Sequence, residues 1–177
     1  MASAKRPTDE DHHEAVRIAL SGIASGEDLT ATLRSLEPLH PKNNSFPGEV
    51  LLELAADALE LGGICRQEPI EYEGLRERYL PELEFRGKAA HHHSHYALRA
   101  VPMVAAGVTP DLLEELGWQQ TDDLWVWCLY SLVIYVRAAA ERSDQSVAEL
   151  LTRIADRRGV DLTAASRSLA DPASADA

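Results

Sequence analysis

Residues 124–137 read Leu124-Trp-Val-Trp-Cys-Leu-Tyr-Ser-Leu-Val-Ile-Tyr-Val136-Arg137, thirteen positions without an Asp, Glu, Lys or Arg before the arginine. The run is too short for a bilayer span, which takes about 20 residues. Thr121 precedes it as an N-cap, with Asp122 and Asp123 in the first turn, so a helix is expected over 122–142. A helix that is apolar all the way round must be covered on every side in water. The centre of a bundle achieves that, and so does a bundle on one face with a second subunit on another. Trp125 and Trp127 stand about 200° apart at helical spacing, so they cannot both fill the same core. One of them is then expected at an interface or a pocket. Trp118 lies just upstream, and six of the ten aromatics fall between residues 96 and 135: Tyr96, Trp118, Trp125, Trp127, Tyr130 and Tyr135. A homodimer is the expected assembly, because closed two-fold dimers are the commonest oligomers.

Working outward, the apolar period is helical almost everywhere. Thr8 followed by Asp9, Glu10 and Asp11 starts a helix that runs to about Ser25. Leu29, Leu33 and Leu36 mark a second, stopped at Pro38, and Pro38 to Pro47 is a linker. A third covers Phe46 to Leu61 and ends at Gly62-Gly63, followed by an extended loop over 64–73 and a short helix over 74–80. Lys88 to Ala106 is helical but contains Pro102, which removes one ladder hydrogen bond and is expected to kink or split it. Thr109-Pro110 opens another helix to about Leu116. Ser146 and Glu149 form a capping box for the last, which stops at Gly159. The pattern predicts an all-α fold: a single compact bundle of seven or eight helices around a central apolar helix near 122–142. The helical domain is expected over 9–162, between a flexible N-terminus (1–8) and a flexible C-terminal tail (163–177).

The chain has 177 residues, with 17 Lys+Arg against 29 Asp+Glu and a net charge of −12. Such a balance disfavours general binding to nucleic acid or anionic membrane, whose phosphates it repels. Two cysteines form no disulfide framework, and Cys65 and Cys128 lie in too different contexts for pairing to be expected. The first ten residues carry two basic side chains but no apolar stretch behind them, so no secretory signal is expected and the expected location is cytoplasmic. From Ser45 to Arg86 there are ten acids against four bases, a net of −6. Glu49, Glu53, Asp57 and Glu60 form an acidic stripe along helix three, a face suited to a basic protein partner.

Two further patterns bear on chemistry. Four of the seven histidines fall within five residues, His91-His-His-Ser-His95. His91 and His95 are one helical turn apart, the spacing at which two neutral imidazoles share a divalent metal such as zinc. Glu53, Asp57, Glu60, Asp122 and Asp123 are the candidate acids to complete such a site. The metal would then activate a bound water for hydrolysis. Residues 155–169 resemble a helix-turn-helix through Ala155, Gly159, Ser166 and Arg167. The acidic balance and the small residues of its second half weigh against DNA reading. No Walker loop, dinucleotide fingerprint, nucleophile elbow or HExxH is visible, and no catalytic residue is singled out. The expected function is non-catalytic: a cytoplasmic interaction or regulatory protein acting through the aromatic helix (Trp118, Trp125, Trp127) and the acidic face (Glu53, Asp57, Glu60). The alternative is a metal-binding bundle or metal-dependent hydrolase using His91 and His95.

Overall fold

The structure is a computed structural model that describes residues 7–26, 28–39, 46–64, 72–80, 88–109 and 124–162. Among them the chain is an all-α bundle of seven helices with no strand. These are α1 (Asp9–Ser25), α2 (Leu29–Leu36), α3 (Gly48–Leu61), α4 (Tyr72–Tyr79), α5 (Lys88–Ala105), α6 (Leu124–Arg142) and α7 (Val147–Arg158), with a 3-10 turn at Glu37–Leu39. The expected helix after Thr109 and the cap at Thr121 lie outside the described residues, as do Trp118, Asp122, Asp123, Cys65, residues 1–6 and the tail 163–177.

Local chemistry sets the ends of the helices. The Thr8 hydroxyl accepts from the Asp11 amide, and the Asp11 carboxylate accepts from the Thr8 amide, which closes a capping box at α1. Ser146 and Glu149 build the same device at α7. Gly26 and Gly159 end α1 and α7 in the left-handed conformation that glycine adopts without a Cβ penalty.

Two helices supply most of the interior. α3 buries ten of its fourteen residues, Leu51, Leu54, Ala55 and Ala58 among them, and packs on α6, α5, α7 and α1. α6 buries twelve residues, including Leu129, Leu132, Tyr135 and Val136, and packs on α3, α5, α4 and α7. The approach between the pair is close at the end of α3. A methyl group added at Gly62 would sit 2.4 Å from the Ala139 Cβ and 2.7 Å from its Cα. Gly63 answers a different need, a positive φ of 64°, with nothing near it.

Pro102 does not split α5, which runs unbroken from Lys88 to Ala105. A proline at 102 has no N–H to give the carbonyl four residues earlier, that of Leu98. Tyr135 of α6 donates its hydroxyl to that carbonyl at 3.0 Å, and the bond is buried. A neighbouring helix thus supplies the donor that the proline removed, so the carbonyl is not left orphaned in the core.

Candidate interaction surface

The charged residues of α3 face a partner within the chain. Arg158 of α7 donates from Nε to Asp57 Oδ2 at 2.5 Å and from Nη1 to Glu53 Oε2 at 2.9 Å. Arg157 reaches Glu60 Oε2 at 2.9 Å and Asp57 Oδ1 at 3.5 Å. The Asp57 side chain is only 7% exposed, against 31% for Arg158. Burial disfavours the Arg158 cation, but its bonds to Asp57 and Glu53 outweigh that and raise its pKa. Glu53, Asp57 and Glu60 therefore form a network that docks α7. Arginines in the last turn of α7 also complement the negative end of its own dipole.

A second ion-pair cluster fastens α4 to α6. Glu141 accepts from the Arg78 guanidinium and, at 2.6 Å, from the Tyr79 hydroxyl. Arg137 donates to the Tyr79 carbonyl at 2.5 Å. Partial burial and the Glu141 carboxylate push the Tyr79 phenol above its ordinary value.

The aromatic residues of α6 divide by position. Tyr135 is wholly inside, whereas Trp125, Val126, Trp127 and Tyr130 are half-buried at the N-terminal half of the helix. Trp125 and Trp127 are partly buried and pack against the core from its edge. Trp125 lies along Gly48 at the start of α3, where a Cβ on the glycine would meet its Cα and Cβ at 3.2 Å. Trp127 and Tyr130 meet as a tilted pair, ring centroids 5.4 Å apart. Burial, with a contribution from Asp28, raises the Tyr130 phenol. Beside this group, Cys128 is a free and fully enclosed thiol, and burial, reinforced by Glu49, pushes its pKa up. A thiol held protonated in this way is a packing group and not a nucleophile.

No protein-family model, curated protein or solved structure matches the chain.

His91 and His95 both fall on α5, as their spacing requires. His95 is half-buried, and the side chain of His91 lies outside the described residues. Among the described residues no group of three or more His, Cys, Asp or Glu side chains gathers around one point. Sequence reasoning missed the partner of the acidic stripe, although Arg157 and Arg158 are visible in the sequence. Their late position in the amphipathic α7 aligns them with Glu53, Asp57 and Glu60 on α3. A cleft of about 430 Å³ between the first turns of α1 and the end of α7 was also missed; its lining includes Glu10, Asp11, Glu14, Arg17 and Asp161. Arg17 there is bound to Glu14, which lowers that carboxyl below its ordinary range.

Proposed function

We propose that this chain is a non-catalytic, cytoplasmic interaction or regulatory protein that works as a homodimer through the outer aromatic face of α6. The observation that carries this reading is the half-buried group Trp125, Trp127 and Tyr130 on a stretch with no charged side chain from Leu124 to Val136. Tryptophan and tyrosine give large contact area at low entropic cost, which is why they dominate interface hot spots. A chain of net charge −12 associates with a copy of itself most readily where its surface carries no carboxylates. The acids of α3 contribute indirectly, by fastening α7 to the bundle that presents this face.

Sedimentation equilibrium of the full chain tests the reading. The expected mass is twice the 19.4 kDa chain, falling to one chain in Trp127→Ala with the helical circular-dichroism signal retained. A wild-type protein that stays monomeric at every concentration, or a dimer indifferent to Trp127→Ala, contradicts it.

A further inference from the structure

The short helix α4 is attached to the bundle differently from its neighbours. Four of its eight residues, Glu73, Arg76, Glu77 and Arg78, are charged, and Leu75 is its one aliphatic side chain. Leu75 is half-buried, and the fully enclosed residue of this segment, Leu80, comes just after the helix ends. By contrast, α3 and α6 bury ten and twelve residues. The polar attachments of α4 all meet at its last turn. Glu141 of α6 accepts from the Arg78 guanidinium and the Tyr79 hydroxyl, and Arg137 donates to the Tyr79 carbonyl. Arg78 also lies over the Tyr79 ring, 5.5 Å from its centroid. Arg137 and Glu141 are one turn apart on α6, so one face of that helix makes the whole grip.

The ion pair within that grip stands in water: the Arg78 side chain is 65% exposed and that of Glu141 49%. Salt screens such a pair strongly. An element held by few buried apolar groups and by exposed polar bonds opens at a lower free energy than the core around it. We propose that α4 is a salt-sensitive latch: Arg137 and Glu141 grip its last turn, and loss of the grip lets α4 lift from α5 and α6 while the rest of the bundle stays folded. Lifting withdraws Leu75 and Leu80 from the edge of the core and uncovers α6 around Arg137 and Glu141. The latch sits on the C-terminal half of α6, apart from Trp125, Trp127 and Tyr130, and is independent of dimerisation through them.

Amide hydrogen exchange of the full chain, read by mass spectrometry on peptides from α3, α4 and α6, tests it. The wild type is compared at low salt and at about 1 M sodium chloride, where the screening length is about 3 Å. The amides of α4 should exchange faster than those of α3 and α6 at low salt, and several-fold faster again at high salt, with α3 and α6 unchanged. Glu141→Ala keeps a good helix former on α6 and should speed α4 exchange about fivefold at low salt while removing most of the salt response. Protection of α4 equal to that of α6 at both salt concentrations overturns the proposal, and so does a salt effect shared equally by all three helices. These two readings need no variant. An α4 exchange rate that Glu141→Ala leaves unchanged overturns it as well.

Discussion

The hydroxyl of Tyr135 donates to the carbonyl of Leu98, the group that Pro102 leaves without its helical partner. This one bond joins α6 to α5 across 37 residues of chain and supplies a donor where a proline sits inside a continuous helix. Tyr135→Phe removes only the donor, so the buried carbonyl bears the full loss, about 1–3 kcal/mol. Pro102→Ala returns an N–H to the same carbonyl. The double variant Tyr135→Phe/Pro102→Ala should therefore lose clearly less stability than the sum of the two single changes, as read by urea denaturation. Strict additivity would separate the two residues energetically.

Asp57 and Arg158 give the second prediction. Removing one partner of a fully buried pair costs about 3–5 kcal/mol. Arg158 is 31% exposed and Arg157 also reaches Asp57, so Arg158→Ala should cost less, about 2 kcal/mol. Glu60→Ala breaks a more open pair and should cost at most about 1 kcal/mol. Chemical denaturation of the two variants checks the order, and a larger loss at Glu60 than at Arg158 would reverse it.

Gly62 and Gly63 are neighbours with different reasons to be glycine. Gly62→Ala drives a methyl group into the backbone of Ala139 and should cost about 1–3 kcal/mol by forcing α3 and α6 apart. Gly63→Ala meets no atom but must hold a positive φ, at about 1–2 kcal/mol. The two are told apart by the denaturation of α6: only Gly62→Ala should raise amide exchange around Ala139.

The cap of α7 and Glu14 both contribute to the acid limb of the stability curve. The Ser146 amide and hydroxyl hold Glu149 below its ordinary 4.5, and Arg17 does the same for Glu14. With folded values below unfolded ones, their contribution is present above about pH 4.5 and is lost as pH falls through the lower folded values. Ser146→Ala removes the hydroxyl but keeps the backbone amide, the larger cause. An NMR titration should therefore show Glu149 moving only part of the way back toward 4.5, and no movement would remove the hydroxyl as a contributor.

Much of the fold is legible from local chemistry. Thr8, Gly26, Ser146 and Gly159 fix helix ends through bonds that span three or four residues, and the sequence displays both partners together. What is not legible depends on contacts across the chain. Pro102 looks like a break until Tyr135 is brought beside Leu98, and Gly62-Gly63 looks like a plain stop until Ala139 packs against it. The acidic stripe of α3 reads as an outward face because its partner lies about a hundred residues away on α7. For the candidate site, the separation of Trp125 and Trp127 by about 200° predicts that they do not share a core, yet both are partly buried and pack against the same one. Periodicity has no means to show that Tyr135 takes the interior and leaves both tryptophans half-buried.

The central claim is that α6 meets a second copy through its aromatic outer face. Hydroxyl-radical footprinting of the wild-type chain, at concentrations above and below its dissociation point, tests it most directly. Oxidation of Trp125, Trp127 and Tyr130 should fall on association, while Tyr79 and Tyr96 serve as references that stay constant. Unchanged reactivity of all three across the concentration range, or protection confined to the references, would contradict the account.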